Sequence, residues 1–572
     1  MRTAILSVLI TTSLYAQSWP QWGANAQHDN ASSTVGLHLE RIQARVVLDP
    51  FTAAMEQSAG GDLLAHYAVP LVDGDDVFVV EKSGAFSGAT TRETQTWNVV
   101  RLRWNGGQLA KVWTFATDWK PVPFGSAAWE PVYHPALNGD FILAPAAGGT
   151  IDQLRRSDGS LVKRFNPFAT IDPSIFMSGP PVVDSAGNIY YNAIQLDTTA
   201  PWTRDPVSSW IVKIAADGTI TKATFASLTT DAPRSSDPCT TSFLVAPPWP
   251  PTPDAVALPS ACGAQRPGIN VAPAVAADGT IYTVSRAHQN SRYAYLIAVN
   301  PDLTPKWSAS MRNRLHDGCN VLLPPNGTPG GCREGTTTGF DPSDNLAGSG
   351  RVLDDSSASP VVTPDGSILY GSYTRYNYSQ GHLMMFGPNG NFIAAYPFGW
   401  DLTPAIYRHD GTYSILLKEN HYPVGSYCDG SQCPADRNKN TPNDPEAYYI
   451  TQLDASLTPE WRFQSANTLS CSRDSNGVEQ CSDDGRHPRG FEWCVNAVAV
   501  DARGVAYADS EDGNVYAIAQ GGTLDSSIFL NLAVGAAYTP TSIGPDGRIY
   551  TQNNGSLFVI EQNPKRRAVR RP

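Results

Sequence analysis

Ten ionisable side chains recur at one kind of place in this chain. Lys82, Glu130, Arg286, Asp355, Arg375, Asp401, Glu419, His421, Glu492 and Glu511 stand just before a strand that opens a hairpin or just after the strand that returns from it. Carboxylates, arginines and a histidine gathered around one opening would bind a polar ligand such as a sugar or a peptide end. Two carboxylates at the right separation could also act as acid and base in glycoside cleavage. The ligand-binding candidates are Arg286, Arg375, Asp401, Glu419, His421, Glu492 and Glu511. A second cluster, RNRLHDGC at 312–319, could pair His316 as a base with Asp317 as its orienter. The preferred reading is a loop cap of salt bridges and Asp turns.

Other chemistry is weakly supported. DRNKN at 436–440 offers oxygens at alternate positions, but Thr441 and Ala447 stand where a calcium loop needs Gly and Glu. No His-Glu-x-x-His pattern, G-x-S-x-G elbow or phosphate loop occurs. No metal and no catalytic residue is assigned.

The elements that must position these groups form a repeat. PVVDSAGNIYY (181–191), PAVAADGTIYT (273–283), PVVTPDGSILY (360–370), AVAVDARGVAY (497–507) and PTSIGPDGRIY (540–550) each read as strand, tight turn and returning strand. Weaker copies begin at Pro70, Pro135 and Pro404, so the turn glycines number eight: Gly74, Gly139, Gly187, Gly279, Gly366, Gly411, Gly504 and Gly547. Gly366 to Gly411 is 45 residues and Gly504 to Gly547 is 43, the length of a four-stranded propeller blade. A second hairpin follows the first in seven copies, and the eighth ends at GSLFVIEQ (555–562). The unpartnered stretch 42–50 can supply its missing strand, which closes the ring and leaves no open edge. The expected fold is all-β, an eight-bladed β-propeller closed by N- and C-terminal strands, with seven blades as the alternative.

Composition supports one turn-rich domain: 48 Gly, 45 Pro, 10% aromatic and 16% charged residues in a chain of 572. Residues 1–16 read as a secretory signal peptide, 17–562 as the propeller and 563–572 as a basic disordered tail. No later stretch is apolar enough to span a membrane. Formal charge is −12, and an acidic body repels phosphate backbones, so nucleic acid is not an expected partner.

Eight of nine cysteines form close pairs in irregular segments: Cys239 with Cys262, Cys319 with Cys332, Cys428 with Cys433, Cys471 with Cys481. Proximity is the simplest of many connectivities, and such pairs suit an oxidising compartment. Cys494 is left over and reads as a buried thiol, with exchange toward Cys471 or Cys481 open.

Turns within hairpins are short, whereas the insertions 228–270, 310–357, 420–446 and 465–493 all belong to the opposite face of the ring. Loops gathered on one face of a rigid scaffold are where binding is usually placed.

The opening WPQWGANAQHDN (19–30), the PxVxxDGxIY hairpins, and Trp113, Trp307 and Trp461 near the ends of fourth strands resemble the PQQ-like propeller repeats of the quinoprotein alcohol dehydrogenases. The resemblance covers nearly the whole mature chain and implies the fold. The enzymes of that family carry a docking motif Ala-x-Asp-x-x-x-Gly-x-x-x-Trp and hold the quinone against a disulfide of adjacent cysteines. Here AVNPDLTPKW (298–307) and QLDASLTPEW (452–461) lack the glycine, and no Cys-Cys dipeptide exists. A member that binds no PQQ is therefore expected and no cofactor is assigned, with PQQ and calcium kept open as alternatives.

Together these readings point to a secreted or periplasmic monomer acting as a binding or scaffold module through its loop-rich face. Its partner would be a protein or a polar ligand such as a carbohydrate. The alternative is an enzyme on the same scaffold, a divergent quinoprotein dehydrogenase or a polysaccharide hydrolase or lyase.

Overall fold

A computed structural model describes residues 18–563 apart from 59–66, 89–92, 124–132, 241–253, 255, 317–345, 355–357, 377–378, 400–401, 422–446, 475, 484, 494, 496 and 534–539. Among the described residues its strands make eight antiparallel four-stranded blades, two of them carrying a short fifth strand, and seven run outward in sequence order. Blade 1 is Leu71–Asp73, Asp76–Gly84, Gln95–Asn105 and Gln108–Ala116. Blades 2 to 7 open with the first strands Ala136–Asn138, Val182–Val183, Ala274–Val275, Val361–Val362, Ala405–His409 and Ala499–Val500. Blade 8 joins Ser542–Ile543, Ile549–Asn553 and Ser556–Glu561 to the N-terminal strand Arg41–Val47, which pairs antiparallel with Ser556–Glu561. The ring closes through both termini, as the unpartnered strand required. No helix among the described residues is long and apolar enough to cross a membrane.

Each blade alternates side chains toward its two neighbours, so the core is a set of inter-blade layers. One layer packs Val361, Leu369, Leu383 and Leu402 of blade 5 and its exit against Ile406, Ile415 and Leu417 of blade 6.

The tryptophan girdle corrects the sequence reading. The glycine that meets each tryptophan belongs to the following blade. A Cβ on Gly159 would lie 2.7 Å from the ring of Trp113, one on Gly390 2.8 Å from Trp307, and one on Gly522 3.1 Å from Trp461. Trp113 Nε1 donates to Arg156 O at 3.0 Å and Trp307 Nε1 to Pro388 O at 2.9 Å, both on that next turn. The leucines standing in place of glycine, Leu303 and Leu457, adopt left-handed φ of 64° and 66°. They pack in the clusters that include Ala223 and Ala394 of the preceding blades. At these three seams the bulk of a tryptophan is met by a glycine of the next blade. The missing glycines thus carry no weight against a quinone.

WPQWGANAQHDN forms a hub. Trp19 bridges Val72 of blade 1, Leu137 N–H donates to Pro20 O at 2.8 Å, and the Gln21 amide grips the backbone of Val183. The N–H groups of Val275, Val362, Ile406 and Val500 donate to the carbonyls of Ala26, Gln27, Asp29 and Asn30. Leu37 N–H then donates to Gly547 O at 2.8 Å, so one segment ties all eight first hairpins. An extended chain cannot follow so narrow a circle, and Gly23, Ala24, His28 and Asn30 bend it through φ of 52° to 73°.

Candidate functional site

The hub floors a bowl of about 1320 Å³ on the turn face, rimmed by Lys213, Lys306, Arg408 and Asp278. The described sequence-derived candidates lie on the opposite, loop-bearing face. There two extra two-stranded sheets stand on the blade-to-blade connections. Pro238–Thr240 pairs with Pro259–Ala261, clipped by Cys239–Cys262, and Leu469–Arg473 pairs with Glu479–Asp483, clipped by Cys471–Cys481. Two of the four expected disulfides are therefore present. Cys319, Cys332, Cys428, Cys433 and Cys494 lie outside the described residues, as do Glu130, Asp317, Asp355, Asp401 and the 436–440 segment.

Arg286 ends the second strand of blade 4, where Gln265–Pro267 pairs beside it and places Arg266 directly opposite. Two guanidinium groups side by side need an anion. Asp354 supplies it, accepting from Arg266 at 2.7 and 2.6 Å and from Arg286 at 3.3 Å. Burial opposes its ionisation, but the two arginines outweigh that and hold the carboxyl well below the usual range. Arg286 also donates to the carbonyls of Ala287, Val352 and His288. His288 Nδ1 accepts from Arg266 Nε at 2.8 Å, and burial plus the two cations lowers this imidazole to about 4. Trp202 stacks on it with ring centroids 6.2 Å apart. Arg266, Arg286, Asp354 and His288 thus form one buried ionic knot that ties the blade 3 to blade 4 connection to the segment before blade 5.

Glu419 and His421 share one side of the long strand Thr412–His421 in blade 6, because side chains repeat every second residue. His421 Nε2 lies 2.7 Å from Glu419 Oε1, while Oε2 accepts from Tyr396 at 2.8 Å, Thr451 at 2.6 Å and Arg462 Nε at 3.0 Å. Burial works against the charge, yet the hydrogen bonds and charges of His421, Thr451 and Arg462 bring Glu419 down to about 2. Its stabilising contribution, on the order of 3 kcal/mol, is present above pH 4.5 and is lost as pH falls toward 2. Replacing Glu419 by Gln should therefore cost about 3 kcal/mol at neutral pH and flatten the acid limb of stability. Urea unfolding at several pH values measures both, and an unchanged acid limb would sink the assignment.

Asn420, between them, points the other way. Its Nδ2 donates to Glu492 Oε2 at 3.4 Å and to Trp493 O at 3.3 Å, and Glu511 N–H donates to Glu492 O at 3.1 Å. Four of the seven candidates thus gather at the loop-side end of blade 6, Glu419 and His421 on its blade 5 side and Glu492 and Glu511 on its blade 7 side. Arg286 stands apart on blade 4. Arg375 lies in the blade 5 strand Ile368–Tyr376, its side chain outside the described residues. Lys82 pairs with Asp49 at 2.7 Å beside Trp97, and His316 is exposed.

Sequence reading missed Arg266, Asp354, Tyr396, Arg462 and Asp509. Only the last left a trace, a carboxylate inside the apolar strand Ala506–Asp509.

No protein-family model and no curated protein matches the chain. Among solved structures, a quinohemoprotein alcohol dehydrogenase from Comamonas testosteroni superposes with a TM-score of 0.51 at 12% identity, covering 97% of this chain and 82% of the other. A europium-containing methanol dehydrogenase superposes with a TM-score of 0.50 at 12% identity, covering 94% and 89%. The chain is an eight-bladed β-propeller similar in fold to those of these two dehydrogenases. At this identity the likeness concerns architecture alone.

Proposed function

We propose that this protein is an exported binding module that captures a polar ligand, such as a carbohydrate, or a protein segment on the loop-rich face over blades 4 to 7. The observation that supports it most is the gathering of Glu419, His421, Glu492 and Glu511 at the loop-side end of blade 6. It is a rigid polar surface whose buried members are locked by internal partners, while Glu492 and Glu511 remain half-exposed. The Cys471–Cys481 hairpin on the blade 6 to blade 7 connection is clipped, which restricts loop motion there and lowers the entropic cost of binding.

The residues present do not fit a quinone held against a vicinal disulfide. The described bridges join residues 23 and 10 apart and clip hairpins on the connections between blades. No chemistry is routed through such a group.

A glycan array and a pull-down from an envelope fraction test the reading directly. Glu492→Gln and Glu511→Gln should weaken capture by about tenfold or more, the usual loss on removing a charged contact at a binding centre. Undiminished capture by both folded variants would overturn this placement of the site.

A further inference from the structure

A repeated device joins neighbouring blades on the loop side of the ring. It uses the residue three positions past the one that pairs with the last residue of the first strand. In blade 3, Val183 pairs with Ile189, and three residues on, Asn192 Nδ2 donates to Val271 O of the segment leading into blade 4, at 3.1 Å. In blade 8, Ile543 pairs with Ile549, and Gln552 Nε2 donates to Ala68 O ahead of blade 1. In blade 7, Val500 pairs with Ala506, which puts Asp509 in that position. Blades 4 and 5 carry Val284 and Gly371 there. Of these five blades, blade 7 alone places a charged-type side chain, the Asp509 carboxyl, where the others carry an amide or an uncharged residue.

Its surroundings suit an acid better than an anion. Asp509 is 1% exposed. Oδ2 accepts from Thr541 Oγ1 and Thr551 Oγ1, both at 2.8 Å and both on the closing blade. Oδ1 has no hydrogen-bond partner among the described residues. The charged group acting on it is Asp512, a like charge on the same hairpin, and no cation among the described residues offsets it. A buried carboxylate without a cation and with one bare oxygen is costly, whereas a protonated carboxyl there matches the amides of the other joints.

We propose that Asp509 is held as a neutral carboxylic acid clasping blade 7 to the closing blade, so that its deprotonation loosens the joint at which the ring is shut. Burial, reinforced by Asp512 against the two threonine hydroxyls, pushes this carboxyl up to about 7. The sign follows from linkage. The folded group holds its proton to a higher pH than the unfolded one at 3.8, so the clasp is strongest in acid and is lost as pH rises toward 7. Above that pH the folded group is itself ionised and the loss levels off.

Hydrogen exchange of the amides in 542–561, corrected for intrinsic rates, reads the opening of this joint. Protection in the wild type should fall by about tenfold per pH unit between roughly 5 and 7, relative to the near-isosteric Asp509→Asn, and then run parallel. Difference infrared spectra should show a protonated carboxyl C=O band in the wild type below pH 7 that Asp509→Asn lacks. Parallel protection profiles across the whole range, or no such band, would overturn the proposal. If Asp509→Asn fails to fold, the infrared titration of the wild type decides alone.

Discussion

A chain lacking residues 18–37 will not unfold in a single cooperative transition. The segment contributes backbone or amide links to all eight blades and buries Trp19 and Trp22 at 2% and 3% exposure. Each link is worth about 1 kcal/mol, and burying a large aromatic adds about 2 to 3 kcal/mol. The sum is comparable with the roughly 5–15 kcal/mol by which a whole domain is stable. The loss also falls at one place. Without the hub, the inner edges of the first strands expose unpaired N–H groups around an open channel, and nothing but neighbour contacts holds the ring to eight blades. Urea unfolding followed by tryptophan fluorescence should turn broad or multiphasic, and a synthetic peptide of residues 18–37 should restore the sharp transition. A truncated chain with the wild-type midpoint and slope would show the hub to be dispensable.

Gly159→Ala is expected to cost about 2 to 5 kcal/mol, adding a left-handed backbone penalty to an overpacking penalty. Gly159 sits at φ +75°, and a methyl there meets the Trp113 ring at 2.7 Å. The indole cannot retreat easily, since its Nε1 is bonded to Arg156 O at 3.0 Å. Gly74, at φ +60° with nothing within 4 Å of the place a Cβ would take, isolates the backbone part. Gly74→Ala should cost only about 1 to 2 kcal/mol. Adding Trp113→Leu should recover part of the Gly159→Ala loss, because the two residues are in contact and their effects are not additive. Equal midpoints for the two glycine variants would mean that the seam yields to the extra methyl.

The two losses differ in how readable they were. The repeat could be read because each hairpin is local: alternating apolar residues, a turn glycine and a returning strand lie within a dozen residues. That regularity, with its spacing near 45 residues, was enough to give eight blades and to pick out 42–50 as the closing strand. It also separated a turn face from a loop face, because strand direction follows from counting. Cys239–Cys262 and Cys471–Cys481 could be paired by nearness for the same reason.

What lies between blades was not readable. Trp113 meets a glycine 46 residues later in the next blade, and within its own hairpin nothing marks that partner. Arg286 looked available at a channel mouth, but Asp354 and Arg266 occupy it from segments 68 and 20 residues away. Glu419, His421, Glu492 and Glu511 were read only as four of seven candidates around one opening, because strand ends on one face lie near each other. Their division into a locked pair and a half-exposed pair depends on Thr451 and Arg462 of neighbouring strands in blade 6 and on Tyr396, which the packing of blade 5 brings in.

By itself the sequence determined the strands, their count, their closure and the face on which each loop falls, since these depend on short-range periodicity and turn chemistry. The tertiary structure alone decided which charges are neutralised, which tryptophan finds its glycine, and that Asp509 stands in an amide's place. Those outcomes depend on contacts between blades, and their partners are separated by whole repeats of chain.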